Sequence, residues 1–198
     1  MNALSAVQVS TAGAILVGGR SSRFGQDKVL LPFGRKPLFA HLCDILNPLV
    51  DEVFIVGHHR PEFETLGLRV VADLVPDAGP LGGIYTALSS TKTPFVLAIG
   101  ADMPYLTTSF LGKILQSAGN ADAIIPKGPR GLEPLSAVYS RSCIEPMRKS
   151  LARGNRRIVR ALEGMNILNP EIALPEGEKD PFFNINFPGD WEGINGNN

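Results

Sequence analysis

The chain has 198 residues, 44% of them hydrophobic and 19% charged, and its 19 Lys plus Arg balance 19 Asp plus Glu. That length suits one domain with a sizeable core, and zero formal charge excludes a general surface field for nucleic acid, so any anion site must be local. No apolar run approaches the length of a membrane span, and the two cysteines, Cys43 and Cys143, lack metal-ligand spacing and read as free thiols of a reducing compartment, with a cytoplasmic location expected.

Residues 1–11 read as a flexible N-terminal tail; the stretch 3–9 is mildly apolar but lacks the charged n-region of a secretory signal. A folded domain is expected over 12–192 and a second flexible tail over 193–198. Continuous apolar runs at 13–17, 52–57, 68–72, 94–100 and 122–126 have the character of strands buried on both faces of a parallel sheet. Between them, 37–49, 80–90 and 107–118 read as helices, with Pro80 at a first helical position and Thr107 or Thr108 as a cap. Further on come a turn at 126–131, an apolar stretch at 134–139, a helical pattern over 141–153, a short helix capped by Asn155 and running to Glu163, and a loop over 170–181. The alternation predicts a single-domain α/β fold, three-layered (α/β/α) and Rossmann-like, with a mostly parallel sheet. In such a fold the ligand crevice lies beyond the carboxyl ends of the strands.

The loops at that edge carry the chemistry. Residues 14–28 read Ala-Ile-Leu-Val-Gly-Gly-Arg-Ser-Ser-Arg-Phe-Gly-Gln-Asp-Lys, a buried strand emptying into a glycine-rich basic loop. Backbone N–H groups from Gly18 and Gly19 onward, flanked by Arg20, Arg23 and Lys28, suit a polyphosphate, and Lys28 would neutralise charge developing on the attacked phosphorus. The spacing fits neither a Walker loop nor the Gly-x-Gly-x-x-Gly of dinucleotide folds, which disfavours kinase-like and dehydrogenase-like readings. Asp102 closes another strand; it either caps the next turn or, with a polyphosphate on the neighbouring strand, binds Mg²⁺.

Asp73 opens a loop in which Gly79, Gly82 and Gly83 would let backbone approach a bound ring or ribose. In Asn184-Ile-Asn186 the two amides share a face of an extended segment while Ile185 packs inward. Arg156 and Arg157, with Arg153 and Arg160, form either a solvated basic face or the site of a second substrate's phosphate. His58 and His59 follow a strand and read as an exposed loop able to touch a ligand.

Together these segments resemble the molybdenum cofactor guanylyltransferases, a family of nucleotidyltransferases. The resemblance runs through residues 16–28, Gly79-Pro-Leu-Gly-Gly-Ile84, Asp102-Met-Pro104, Glu133-Pro-Leu-Ser-Ala-Val-Tyr139, Gly154-Asn-Arg-Arg157 and Asn184-Ile-Asn186, nearly the whole chain. It implies a nucleotidyltransferase fold, GTP as donor, Mg²⁺ as cofactor, and molybdopterin or Mo-molybdopterin as acceptor, with pyrophosphate released. Molybdenum-insertion proteins and molybdoenzyme chaperones are candidate partners. The same resemblance sets Leu16, Gly18, Gly19, Lys28 and Asp73 at the nucleotide, Asp102 at the metal, and Asn184 and Asn186 at the acceptor. On their own chemistry and position Val17, Arg20, Gly79 and Asp102 join the nucleotide set, Lys28, Arg23 and Asp102 form the catalytic set, and Arg156 and Arg157 join the acceptor set. The chain departs from the family at His58, where asparagine is usual, and at Phe187 and Gly189, which replace Thr and Glu of an Asn-Thr-Pro-Glu-Asp motif. From residues alone, transfer of another base such as cytidylyl, transfer to a sugar phosphate, and a non-catalytic nucleotide-binding protein stay open.

Overall fold

The computed structural model describes residues 9–18, 28–117, 119–174 and 176–195. In chain order the elements are β1 (Thr11–Val17), β2 (Pro32–Phe33), β3 (Lys36–Pro37), α1 (Leu38–Leu46), β4 (Glu52–Gly57), α2 (Pro61–Glu64), β5 (Arg69–Val71), α3 (Gly79–Ser89), β6 (Phe95–Gly100), α4 (Thr108–Gln116), β7 (Ala123–Ile124), β8 (Lys127–Gly128), β9 (Gly131–Leu132), β10 (Ser136–Ser140), α5 (Ile144–Ala152), α6 (Ile158–Ala161), β11 (Ile167–Leu168) and α7 (Pro188–Asn195). Seven strands form one sheet in the order β11-β7-β10-β6-β1-β4-β5. Every pairing in it is parallel except those of β10, which runs antiparallel to both neighbours.

Strand β1 lies inside the sheet between β6 and β4 with all its residues buried, as its largely apolar sequence requires of a strand covered on both faces. Alternation along the strands divides the core. Ile15, Val17, Ile55, Leu97 and Ile99 pack with Leu42 and Leu46 of α1 and Phe110 and Ile114 of α4. Ala14, Leu16, Phe54, Val56 and Ala98 pack on the other face with Leu81 and Ile84 of α3 and Met147 of α5. The three layers are therefore those the alternation predicts. Thr107 caps α4, its hydroxyl accepting from the Phe110 amide at 3.1 Å.

Three expectations shift. Asn155 does not cap α6: its carboxamide oxygen accepts from the Arg157 amide at 3.1 Å and its nitrogen donates to Ser150 Oγ at 3.0 Å, pinning the turn, and the helix ends at Ala161 rather than at 163. Strand β1 begins at Thr11, inside the expected N-terminal tail, because the Thr11 amide donates to Asp51. At the other end α7 runs through Asn195, past the expected boundary at 193, because Ile194 is only 6% exposed and joins the core beside α1 and α4. Both cysteines are buried and unpaired, and burial pushes each thiol up to about 11, so neither is a reactive group. Among the described residues no helix is long and apolar enough to cross a membrane.

Candidate active site

Strands β6, β1, β4 and β5 lie side by side and parallel, so the loops after Gly100, Val17, Gly57 and Val71 all leave from one edge of the sheet. Two glycines keep that edge open. Gly57 pairs with Val17 and has φ +140, and a Cβ there would lie 2.1 Å from the Val17 carbonyl oxygen, so only glycine fits. A Cβ on Gly100 would lie 3.0 Å from a carboxylate oxygen of Asp102, the space that lets this side chain sit back against the strand end. Gly57 does not stand out in the sequence, since it looks like the end of an apolar run, and Gly100 marks there only the end of the run before Asp102.

Leu16 and Val17 are 9% and 8% exposed, so their side chains belong to the core and only their backbone is available to a ligand. The Leu16 side chain lies over Gly83, where a Cβ would be 3.5 Å away, and its carbonyl accepts from the Ala101 amide at 3.2 Å, tying the β1 end to the Asp102 loop. Gly18 is exposed, with open space where a side chain would be. Gly19, Arg20 and Arg23 lie outside the described residues.

The decisive contacts join three distant pieces of chain. Lys28 opens a short 3-10 turn (Lys28–Leu30), and its Nζ donates to the Ile185 carbonyl at 2.7 Å. The Ile185 amide in turn donates to the Asp102 carbonyl at 2.9 Å, while the Ile185 side chain is fully buried, as the alternation required. The ammonium of Lys28 thus stands near the carboxylate of Asp102, which burial pushes above the usual range while the Lys28 charge pulls it back. A recessed carboxylate whose charge is costly gains from a cation. Among the described residues no group of three or more His, Cys, Asp or Glu could enclose a metal. A lone carboxylate at this strand edge nonetheless fits Mg²⁺, which commonly takes one or two protein carboxylates and fills its shell with phosphate oxygens and water.

Asp73 follows β5 at the same edge; burial raises its carboxyl and the charge of His58 opposes that rise. His59 is drawn elsewhere, its Nε2 lying 3.1 Å from Glu64 of α2. The loop between Asp73 and α3 is held by the Leu74 amide donating to Thr86 Oγ1 at 3.0 Å, and Gly79, at φ +66, turns the chain into the helix. Asn184 and Asn186 flank Ile185, but their amide nitrogens donate back along the segment, to the Phe182 carbonyl at 3.2 Å and the Asn184 carbonyl at 3.3 Å. Arg156 and Arg157 are exposed on the turn before α6. The following Ile158 packs in the α3 layer, whereas Ile185 packs in the α1–α4 layer, so the two segments start from opposite faces of the sheet.

A glycine-opened strand edge, a lysine and a recessed carboxylate on a mostly parallel α/β sheet define the class, a domain of the nucleotidyltransferase type. A family model, the MobA-like NTP transferase domain, matches residues 13–165, and the chain belongs to that family. A protein of Pelotomaculum thermopropionicum named "Probable molybdenum cofactor guanylyltransferase" is 34% identical over 186 residues, 92% of this chain and 90% of that protein. One of the same name from Pyrococcus furiosus is 37% identical over 182 residues, 88% of this chain and 91% of that one. Among solved structures, molybdopterin-guanine dinucleotide biosynthesis protein A of Archaeoglobus fulgidus superposes with a TM-score of 0.75 at 27% identity, over 92% of this chain and 96% of that one.

Proposed function

We propose that the chain transfers GMP from Mg·GTP to the terminal phosphate of molybdopterin or Mo-molybdopterin, giving the guanine dinucleotide form of the cofactor and pyrophosphate. The observation that carries this reading is the junction of Lys28, Asp102 and the segment 184–186 at one strand edge. The names borne by relatives at 34–37% identity supply the donor and acceptor.

Attack of an acceptor phosphate oxygen on the α-phosphorus forms one P–O bond and breaks the bond to pyrophosphate; placement and charge neutralisation count for more here than covalent help. Backbone around Val17 to Gly19 and the Lys28 ammonium would hold the donor phosphates, with Arg20 and Arg23 adding charge. Asp73 and Gly79 would line the nucleoside side of the crevice, and Asn184 and Asn186 the acceptor side. Asp102 would hold Mg²⁺, which when bound neutralises phosphate charge and supports the leaving pyrophosphate. Arg156 and Arg157, starting from the opposite layer, would reach only an extended acceptor. Buried free thiols suit a reducing compartment, and we assign the protein to the cytoplasm.

The test is incubation with molybdopterin, Mg²⁺ and each nucleoside triphosphate in turn, with mass analysis of the product and a pyrophosphate assay. A guanylyl adduct formed from GTP supports the reading. A cytidylyl adduct instead moves the base assignment, and absence of pyrophosphate with every nucleotide overturns the transferase.

A further inference from the structure

The turn that leads into α7 is fastened by a side chain the reaction has not yet used. The residue before the helix, Phe187, has no side-chain oxygen with which to cap it. Asp190, the third helical residue, supplies the missing acceptor: its Oδ2 accepts from the Asn186 amide at 2.7 Å and from the Phe187 amide at 2.8 Å. This is the returning half of a capping box, with the carboxylate at the positive end of the helix.

What it fastens is the strap that crosses the active edge. Upstream, the Arg130 guanidinium donates to the Phe182 carbonyl at 2.7 Å and Asp180 accepts from the Phe182 amide at 2.9 Å. Midway, buried Ile185 anchors the strap, its amide on Asp102 and its carbonyl on Lys28. Downstream the fastening is Asp190. The charge of Lys28 also helps hold the Asp190 carboxyl below its usual range, behind the larger effect of the two amides, so the ammonium bears electrostatically on both Asp102 and Asp190.

We propose that Asp190 is a positioning residue: by gripping the Asn186 and Phe187 amides it sets the strap at the height where the Ile185 carbonyl presents the Lys28 ammonium beside Asp102. The inference rests on the reading of Lys28 and Asp102 as the groups that meet the donor phosphates and their metal. It carries a consequence for the strap itself. A phosphate oxygen is a stronger partner for an ammonium than a neutral carbonyl, so donor binding draws Lys28 from Ile185 and changes the strap's packing. Trp191, the only tryptophan, is partly buried against the same core and adjoins Asp190, so its emission reports that change.

Calorimetric titration with Mg·GTP, steady-state pyrophosphate release and Trp191 fluorescence on the wild type, Asp190→Ala and Asp190→Asn test this. The asparagine oxygen can still accept both amides; alanine accepts neither. In Asp190→Ala the dissociation constant for Mg·GTP should rise and turnover fall, each by about tenfold, with Asp190→Asn restoring both to within about threefold. An alanine variant that only melts earlier, with donor affinity unchanged, makes Asp190 a mere helix cap and overturns the proposal. An asparagine variant as weak as alanine, yet folded, overturns the hydrogen-bonding role. Should Asp190→Ala fail to fold, the wild type decides: heat of Mg·GTP binding accompanied by a change in Trp191 emission supports the strap, and heat without one overturns it. Absence of any Mg·GTP binding to the wild type defeats the transferase reading itself, and this inference with it.

Discussion

At the scale of single residues, Asp102 sits where folding alone would not place it. Burial raises its carboxyl above the usual range despite the Lys28 ammonium nearby, so its ionised form at neutral pH is a cost to the native state. A residue kept against such a cost is expected to act on a ligand rather than on stability. Asp102→Ala should therefore lose about 100-fold or more in pyrophosphate release, the scale on which one electrostatic group at a transferring phosphorus acts. Measured with chelator present, the same variant should melt no earlier than the wild type. Near-normal turnover at ordinary Mg²⁺ removes Asp102 from the chemistry, and a large loss of melting temperature makes it structural. Lys28 and Asp102 were legible in the sequence because each closes a loop directly after a buried apolar run, which is where α/β folds keep ligands. Asp190 was not, because its partners are backbone amides three and four residues earlier, and the usual Ser or Thr that announces a capping box is replaced by Phe187.

At the scale of elements, the far edge of the sheet needs a fastening that its short strands cannot supply. β7 and β11 pair over two residues each, so their ladder alone contributes little. Asp122, just before β7, accepts from Ser142 Oγ with one carboxylate oxygen and from the Asn166 amide at 3.0 Å with the other, while its carbonyl accepts from the Ser140 amide at 2.8 Å. Backbone and side chain of this one residue thus tie the starts of β7 and β11 to the end of β10 and the turn after it. Ser142 first and Asn166 second hold its carboxyl below the ordinary range. A lowered native value means the stabilisation is full above the unfolded-state pKa and is lost as pH falls through the lowered one. Asp122→Ala should melt about 2–4 °C below the wild type at neutral pH, and the gap should close in strong acid, as read by thermal denaturation across pH. A gap of constant size at every pH assigns the loss to something other than the charged carboxylate.

The long central strands were legible, since β1, β4 and β6 each carry a continuous run of apolar residues. The last helix was not. Its eight residues include a leading proline and two glycines and read as a tail until Ile194 and Trp191 find the core, a tertiary contact with no local periodicity to announce it.

At the scale of the whole molecule, the active edge is assembled from both ends of the chain: Lys28 and Ile185, bonded to one another, are 157 positions apart. A ligand that spans the phosphate edge and Asp102 therefore bears on contacts that exist only when the sheet, the α1–α4 layer and the C-terminal strap are all formed. Binding free energy should then appear in the stability of the entire fold, in one cooperative transition rather than in a local loop. At about 100 times its dissociation constant a ligand adds about 2.7 kcal/mol, which for a domain of this size corresponds to a rise of about 5–10 °C in melting temperature. Mg·GTP should produce that rise, chelation of the metal should remove most of it, and Mg·CTP at the same concentration should give less. Equal shifts with both nucleotides place the base contacts outside the energetics of recognition. No shift with Mg·GTP at concentrations that saturate turnover means the nucleotide does not bind the assembled edge, because a site that joins residues 28, 102 and 185 cannot be filled without resisting the separation of those segments on unfolding.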